Sequence, residues 1–581
     1  MTTEQPSIGQ VFIQVDGSDL PTETMDQLID LVVEDDLDQP AMFVLRFHDQ
    51  DYNLIDSDRF KLGAEVKLRA SNPAGRPGPL LIGEVTALET EQEQSHTTYV
   101  VRGYDRSHRL HRGRKTRTFL RQTDSDIAAR VAREAGLRAD IESTADRHEF
   151  VIQDNQTDFA FLKARAARVG YCLVVQDRTL KFRRAEGSPP QAPAQEWGQT
   201  LLAVRTRQTA VSQPSEVQVR GWDPATKRAI VGRAAQATHA SQVGDRRSAA
   251  SAAERAFGGP AIVNITDQPV GSQGEADKLA QAVLDEIADD YHYLEAETRG
   301  DPALRAGSKV ELKGVGRRVS GTYLITATRH ELSAGGGYQS TVYVSGRRPN
   351  SLLGAFTDAR PAHGMQGVAI AIVTNINDPD RLGRVKLKYP WLDEQQESHW
   401  ARVATPGAGK ERGFFALPEV DDEVLVAFEH GDMSRPYVVG GLWNGKDTPP
   451  AEVVQSNKVG TRIIKTRIGH VIELQDDGAG GNGFIALKTK DGHVITASDT
   501  DREVTIVSKG GNSISISDTA RSVSVSSKGS IQLECPGGKL MISESGVELS
   551  SKSMLKVQAN AMLDIKSSAI LNIQGTLVKI N

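Results

Sequence analysis

The sequence is poor in cysteine, in aromatic residues and in long apolar runs. Only two cysteines, Cys172 and Cys535, occur among 581 residues, and aromatic residues make up 5% of the chain. The positions of the cysteines fit neither a disulfide framework nor a metal-binding motif. No apolar run reaches the roughly 18 residues that a membrane-spanning helix needs. We therefore expect assembly under reducing conditions, with both cysteines buried as small apolar side chains.

The sequence also lacks a surplus of positive charge. It has 69 basic and 75 acidic residues, for a net charge of −6. Nucleic-acid-binding proteins usually carry a basic surplus, so nucleic acid is not an expected partner. The first residues show no basic segment followed by an apolar segment, as a signal peptide would. These features predict assembly in the cytoplasm.

Glycine is abundant, and short alternating apolar segments dominate the pattern. The sequence has 53 glycines, which suits many strands and turns, and its length predicts several domains. The predicted fold is mainly β, with few helices. The predicted domains are a first barrel (1–110), a helical and strand insertion (111–200), a second barrel (201–348), a linker (349–366), a five-stranded OB-type barrel (367–447) and a β-repeat shaft (460–581).

The shaft prediction depends on a repeat. From Ile514 onwards, two apolar residues separated by one residue recur every seven to nine residues. This pattern predicts short strands with one apolar face, which are stable only when many of them stack. One chain coiled as a triangle and three chains wound around an axis both fit the repeat. The predicted core residues are Ile531, Leu533, Val547, Leu549, Leu555, Val557, Leu563, Ile565, Leu571 and Ile573.

Three segments show a helical pattern. We expect helices at 127–135, with Asp124 to Asp126 as its cap, at 159–169 after Asp158, and at 275–297. Residues 234–259 are rich in Ala, Ser and Gln and are predicted to form a mobile loop. Residues 188–195 are expected to be an exposed connector.

Chemical motifs are scarce. The histidines are scattered, and the paired carboxylates Asp378/Asp380 and Asp421/Asp422 fall in predicted turns, where Asp is a normal turn former. We therefore predict no catalytic, cofactor-binding or metal-ligating residue and no enzyme activity. The basic segment 102–117 could bind phosphate, but we favour a strip of salt bridges. Three tryptophans could stack on carbohydrate, but we favour packing in the barrel and between subunits: Trp391, Trp400 and Trp443.

Several motifs resemble a known family. The segments Asn377–Leu392 (NDPDRLGRVKLKYPWL), Glu423–Asp432 (EVLVAFEHGD) and Arg435–Asn444 (RPYVVGGLWN) resemble the OB domain of VgrG and VgrG-like spike proteins. The segments Arg102–Arg106 and Gln153–Asp158 resemble the hub domain of phage tails. The opening, with Asp35–Pro40, is closer to phage tails and extracellular contractile injection particles than to type VI secretion tips.

This resemblance implies a fold and a function. In the family, two hub β-barrels with a few helices, an OB barrel and a C-terminal triangular β-helix form an intertwined trimer. The trimer sits at the tip of a contractile tail tube, pierces a target envelope and helps to deliver payload. The alternative is a phage-type tail spike with hydrolase or receptor-binding activity. The short connection between the OB barrel and the repeat leaves no room for a lysozyme domain, and no effector domain is expected after Asn581.

The resemblance also implies partners and a location. The expected partners are two further copies of the chain, inner tube and baseplate proteins, effector cargo and, transiently, the target envelope. A PAAR-type tip protein is expected to dock on Val578, Lys579, Ile580 and Asn581. No cofactor and no nucleic acid are expected. The protein would belong to a contractile particle that is extracellular or is delivered into a target envelope on firing.

Overall fold

The structure is a computed structural model, and it contains two compact units, Met1–Leu442 and Trp443–Asn581. The described residues are 10–37, 39–184, 192–238, 242–243, 248–333, 336–344, 365, 367–392, 396–455, 457–476 and 482–580. The predicted linker (349–366) lies outside them except for Met365. The fold is mostly β, as predicted.

Residues 10–344 of the first unit, here called the hub, form strands and a few helices. The strands are β1 (Val11–Val15), β2 (Ser18–Asp19), β3 (Leu28–Asp36), β4 (Met42–His48), β5 (Glu65–Ser71), β6 (Pro77–Glu93), β7 (His96–Asp105), β8 (Lys115–Thr123), β9 (Arg138–Ile141), β10 (Arg147–Gln156), β11 (Cys172–Gln176), β12 (Thr179–Arg183), β13 (Ala194–Glu196), β14 (Leu201–Gln208), β15 (Glu216–Asp223), β16 (Arg228–Ala234), β17 (Gln242–Val243), β18 (Ile262–Ile265), β19 (His292–Arg299), β20 (Lys309–Lys313), β21 (Gly321–Leu324), β22 (Ala327–Ser333) and β23 (Gly337–Val344). The helices are α1 (Thr22–Met25), α2 (Asp124–Glu134), α3 (Asp158–Val169), α4 (Ala249–Phe257) and α5 (Gln273–Asp289), with a 3₁₀ turn at Arg106–His111.

The two predicted barrel regions share one large sheet. Its eleven strands follow the order β14-β19-β23-β22-β3-β4-β7-β6-β5-β1-β2. The link between the two regions is the antiparallel pair β3 and β22, in which Val33 lies opposite His330. Alternate residues of β3 and β4, such as Leu31 and Phe43, are fully buried in the core beneath this sheet. This shared sheet was not predicted.

The observed cap residues lie one position before the predicted ones, and α2 begins at Asp124, three residues before its predicted start. Thr123, not Asp124, caps α2, because its side chain accepts from the backbone N–H of Asp126 in a capping box. Thr157, not Asp158, caps α3, because its side chain accepts from the backbone N–H of Ala160. The predicted end of α3 is confirmed, since Gly170 has a φ of 71° and no Cβ to oppose that conformation.

Two other predictions in this region were wrong. The predicted helix 275–297 ends at Asp289, and the chain continues as β19, whose alternating residues pair with β14 and β23. Within the predicted loop 234–259, residues 249–257 form α4, which Ser248 caps. An alanine-rich segment after a serine is a good helix former, which explains α4. The predicted connector 188–195 is described only from 192, and Gln195 lies buried in β13.

The OB-type barrel is confirmed. Its strands are β24 (Val368–Asn375), β25 (Lys386–Lys388), β26 (Arg402–Val403), β27 (Ala408–Gly409), β28 (Arg412–Gly413), β29 (Glu423–Glu429) and β30 (Asp432–Gly441). Five of them form a sheet in the order β25-β24-β29-β30-β26. Its core includes Ala371, Leu387 and Val424, all fully buried. In the single chain Trp391 is 48% exposed and Trp443 is 67% exposed, so their packing between subunits stays a prediction.

The second unit is a series of short antiparallel strands. They are β31 (Val454–Gln455), β32 (Lys458–Val459), β33 (Thr461–Lys465), β34 (Val471–Asp476), β35 (Gly483–Lys488), β36 (Val494–Ser498), β37 (Glu503–Val507), β38 (Ser513–Ser517), β39 (Ser522–Ser526), β40 (Ile531–Cys535), β41 (Gly538–Ser543) and β42 (Gly546–Ser551). Strands β33 to β39 form one sheet in chain order, here called the ribbon, and β40 to β42 form another. Each ribbon strand pairs with the next along the chain.

Residues 552–580 contain no strand within this single chain, although the apolar repeat continues there. A strand needs a hydrogen-bonded neighbour, and the described residues of one chain supply none at this point. The prediction for Cys535 was wrong in this chain, because it is exposed at the end of β40, whereas Cys172 is buried as expected.

Candidate functional site

Two continuous rows of apolar side chains, here called the apolar ladders, run along one face of the ribbon. In each ladder, residues of neighbouring strands lie directly opposite one another. The first ladder consists of Ile464, Ile472, Leu487, Ile495, Ile506, Ile514 and Val525. The second consists of Leu474, Ile485, Ala497, Val504, Ile516 and Val523. Cross-strand neighbours of this kind pack together and fix the register of a sheet.

The apolar ladders lie on the more exposed face of the ribbon. Ile495 is 45% exposed and Ile506 is 46% exposed, whereas Thr496 and Thr505 on the opposite face are only partly exposed. A soluble sheet normally buries its apolar face and exposes its polar face. The reversed pattern in the six strands β33 to β38 therefore marks this face as a surface that another body must cover.

The predicted core residues continue this surface. In β40 to β42, Ile531, Ile542 and Val547 lie opposite one another, as do Leu533, Leu540 and Leu549. In one chain, nine of the ten predicted core residues are more than half exposed: Leu533 64%, Val547 71%, Leu549 52%, Leu555 54%, Val557 60%, Leu563 52%, Ile565 62%, Leu571 52% and Ile573 63%. Their role as a core stays a prediction.

Turns on one edge of the ribbon repeat the same hydrogen bonds. In the turns 466–470 and 489–493, a threonine side chain accepts from the N–H of the histidine four residues later, at 3.0 Å in both cases. The imidazole Nδ1 of His470 then accepts from the backbone N–H of Lys490 at 3.2 Å. Because consecutive turns are bonded to one another, this edge holds its side chains in a fixed row.

The predicted docking residues lie beyond the strands. Val578 is 47% exposed and Ile580 is 87% exposed, and Lys579 is exposed as well. Asn581 lies outside the described residues. The docking role of these residues stays a prediction.

In the OB barrel, Asp378 organises the loop that carries the resemblance motif. Arg384 donates to both of its carboxylate oxygens, at 2.6 Å from Nη2 and 3.1 Å from Nε. The backbone N–H of Leu382 donates to the same carboxylate at 2.8 Å. The Arg384 hydrogen bond, helped by backbone donors, lowers the pKa of Asp378 far below its usual value. This carboxylate therefore closes a loop, as the turn prediction implied.

The basic segment 102–117 is neutralised by carboxylates. Glu84 accepts from Arg109 Nη2 at 2.6 Å, and Asp158 accepts from Lys115 Nζ at 2.6 Å. The favoured interpretation as a strip of salt bridges agrees with these contacts, since Arg102, Arg106 and Arg117 also pair with carboxylates.

A buried carboxylate joins helices α2 and α3 in the hub. The side chain of Asp124 is almost fully buried, and Arg165 Nε donates to its Oδ1 at 2.5 Å. His148 Nε2 lies 3.0 Å from Oδ2. Burial alone would raise the pKa of Asp124, but Arg165 and His148 outweigh it and lower the pKa to about 2.

A second buried carboxylate lies near the junction of the two barrel regions. Asp105 accepts from the backbone N–H of Ser107 at 2.9 Å and from its hydroxyl at 2.5 Å. Nearby, Arg305 Nε donates to Asp35 at 2.8 Å. Burial raises the pKa of Asp105 to about 7, although the Ser107 hydrogen bonds oppose the shift.

Neither a membrane helix nor a metal-ligand cluster is found in the part of the chain that the structure describes. None of its helices is long and apolar enough to cross a membrane. Within the same residues, no group of three or more His, Cys, Asp or Glu is placed to hold a metal ion.

Two family models match this chain. The Alg8 N-terminal domain matches residues 6–334. The type VI secretion system/phage-baseplate injector OB domain matches residues 369–443, within the predicted OB barrel.

Individual relatives match over shorter stretches. The chain is 28% identical over 197 residues to the actin cross-linking toxin VgrG1 of Vibrio cholerae, which covers 30% of this chain and 18% of that protein. It is 36% identical over 116 residues to the type VI secretion system spike protein VgrG5 of Pseudomonas aeruginosa, covering 19% and 13% respectively. The matches thus span less than a fifth of these curated relatives. Among solved structures, the E. coli c3393 protein, a component of the type VI secretion system, aligns with 16% identity and a TM-score of 0.46 over 74% of this chain and 99% of that one.

Proposed function

Because this chain belongs to the family of the Alg8 N-terminal domain and is a VgrG-like spike protein, we propose that three copies form the spike of a contractile injection system. The spike sits at the tip of the tail tube, pierces the target envelope and helps to deliver payload. Its role is mechanical, and the driving force comes from the contractile sheath.

The exposed apolar ladders carry this proposal. Three ribbons around one axis can turn their ladders inward and bury them in a shared core, which a single ribbon cannot do. Covering the exposed half of one isoleucine stabilises the assembly by about 1 kcal/mol, and each copy repeats this at a dozen positions. A shaft built in this way is stiff along its axis, because consecutive strands are hydrogen-bonded along its length.

The same proposal includes specific partner proteins. The hub and OB domains attach the spike to inner tube and baseplate proteins, and the exposed residues Val578, Lys579 and Ile580, with Asn581, receive a PAAR-type tip protein. Effector cargo travels with the spike. Assembly takes place in the cytoplasm, and the finished particle acts outside the cell or is delivered into a target envelope on firing.

The first test is the mass of the full chain in solution. Mass photometry should give three times the 63.0 kDa of one chain, and deletion of residues 460–581 should remove or severely weaken the trimer. The variant I495D/I506D places charges in the ladder and should also abolish the trimer. Its matched control, T496D/T505D, changes the neighbouring residues on the opposite face and should stay trimeric. A wild-type monomer would overturn the proposal.

The second test concerns the mechanical role. Contractile particles assembled with I495D/I506D should lack the spike density at the tip of the tube in electron micrographs, and they should not permeabilise target cells. Purified wild-type protein should release no soluble fragments from peptidoglycan. Clear turnover in that assay would favour the alternative, a tail spike with hydrolase activity.

A further inference from the structure

The two edges of the ribbon differ in charge, one being basic and the other mixed with a slight acidic surplus. The strands run back and forth, so alternate turns lie on alternate edges. On one edge, the turns 466–470, 489–493, 508–512 and 527–530 each place a cation at their second position. This set, here called the basic row, consists of Arg467, Lys490, Lys509 and Lys528, with Asp491 as the only carboxylate among these turn residues.

Among the described residues, the opposite edge is mixed and slightly acidic, because it carries four carboxylates and three arginines, Arg462, Arg502 and Arg521, and Arg462 pairs with Asp476. The end of β34 and the turns 499–502 and 518–521 present the acidic row, which consists of Asp476, Asp499, Asp501 and Asp518. Arg502 and Arg521 close the two turns with φ values of 52° and 49°. Every side chain of both rows is exposed in the single chain.

Hydrogen bonds donated by backbone N–H groups connect neighbouring turns and keep each row in line. On the basic edge, the N–H of Lys509 reaches His493 and the N–H of Lys528 reaches Asn512. On the acidic edge, the N–H of Asp518 donates to the carbonyl of Arg502 at 3.1 Å. Turns on one edge are two strands apart, so neighbouring charges of the basic row are spaced by roughly 10 Å.

We infer that the basic row of each copy faces the acidic row of the next copy, so that the rows set the order and common direction of the three chains. This inference rests on the proposed trimeric shaft. If three ribbons turn their apolar ladders toward one axis, each ribbon forms one side of a triangle. Three-fold symmetry is heterologous, so every corner joins the left edge of one copy to the right edge of its neighbour.

The rows exclude other arrangements that the apolar ladders alone would permit. A ribbon inserted upside down would bring two basic rows together at one corner. Like charges facing along several turns oppose such an arrangement. Exposed ion pairs add little stability, so the rows act on orientation and partner choice, whereas the ladders supply the cohesion.

The test uses full-length chains with reversed rows. In the variant K490E/K509E/K528E both edges have an acidic surplus, and we expect at least a tenfold loss of trimer at low salt. The swapped variant also carries D499K/D501K/D518K, and we expect it to recover the trimer. The neutral variant K490Q/K509Q/K528Q controls for loss of the lysine side chains and should lie between the wild type and the reversed variant.

Co-expression of differently tagged wild-type and swapped chains gives the sharpest readout. Each corner between the two kinds of chain would join rows of like charge, so we expect homotrimers almost exclusively at low salt and more mixed trimers in 1 M NaCl. Mixed trimers at the statistical proportion in low salt would overturn the inference while leaving the trimeric spike intact. If the reversed variant fails to fold, the co-expression experiment still decides. A monomeric wild type would instead overturn the proposed function itself.

Discussion

His493 and Lys509, in consecutive turns on one edge of the ribbon, are joined by a hydrogen bond from the Lys509 backbone N–H to the imidazole Nδ1 at 3.4 Å. The next turn makes the same connection with a different side chain, since Asn512 Oδ1 accepts from the N–H of Lys528 at 3.0 Å. Histidine and asparagine are therefore equivalent acceptors at this position.

This equivalence makes a prediction about His470 and His493. The variant H470N/H493N should unfold at the temperature of the wild type, because Asn supplies the same acceptor. The variant H470A/H493A should lose about 1 kcal/mol for each missing bond and melt earlier in calorimetry. Equal melting temperatures for the Ala and Asn variants would show that these bonds add nothing.

The second prediction concerns the apolar repeat beyond the last strand. Leu563→Asp should lower the melting temperature of the trimer, because it places a carboxylate in the predicted core at the cost of a buried apolar side chain. Lys566→Asp, in the same repeat but at a polar position, is the matched control and should change the melting temperature little. Similar effects of the two substitutions would contradict the predicted core.

The third prediction concerns Asp124. Its pKa is lowered from 3.8 to about 2 in the folded chain, so its contribution to stability is present above pH 4 and is lost as the pH falls toward 2. Asp124→Asn leaves Arg165 without its counter-ion and should destabilise the hub by about 3 kcal/mol at pH 7. Calorimetry should show this loss at pH 7 and a much smaller loss near pH 2. An equal loss at both values would exclude the ion pair as the cause.

The fourth prediction concerns Asp105, whose effect on stability changes with pH in the opposite direction to that of Asp124. Burial raises the pKa of Asp105 from 3.8 to about 7, so the folded chain holds a proton there that the unfolded chain releases. Stability should therefore fall as the pH rises from 4 to 7. Asp105→Asn keeps an acceptor for Ser107 without the charge and should stabilise the hub above pH 7 by up to about 4 kcal/mol. Thermal melts of the wild type and of Asp105→Asn at pH 5 and pH 8 measure this difference. The same change in melting temperature with pH for both proteins would contradict the prediction.

Local patterns predicted the ribbon well and the helix ends less well. Alternation of apolar and polar residues marked the strands, because each strand carries apolar residues at alternate positions on one face. The helix after Ser272 was extended too far because Tyr291 continues its apolar stripe, although pairing of the following residues with β14 and β23 decides their conformation. The helix at 249–257 was missed because alanine shows little periodicity, but Ser248 followed by alanines was a usable signal.

Sequence patterns did not predict which distant strands pair with one another. The pairing of β3 with β22 joins residues far apart in the chain, and nothing local in either strand specifies its partner. The exposed location of the apolar ladders likewise required the strand register. Alternation predicts an apolar face, but only the structure shows that one chain leaves this face uncovered.

The shared sheet has a consequence for synthesis of the protein. Strand β3 pairs on one side with β4, which follows it closely, but on its other side with β22, whose Ala327–Ser333 must first leave the ribosome. Until then β3 presents an unpaired edge next to a sheet that is otherwise ready to form, and such edges invite aggregation. Contacts this distant also slow folding. We therefore expect the nascent hub to be a substrate for chaperones that protect exposed strands until the second half of the sheet arrives.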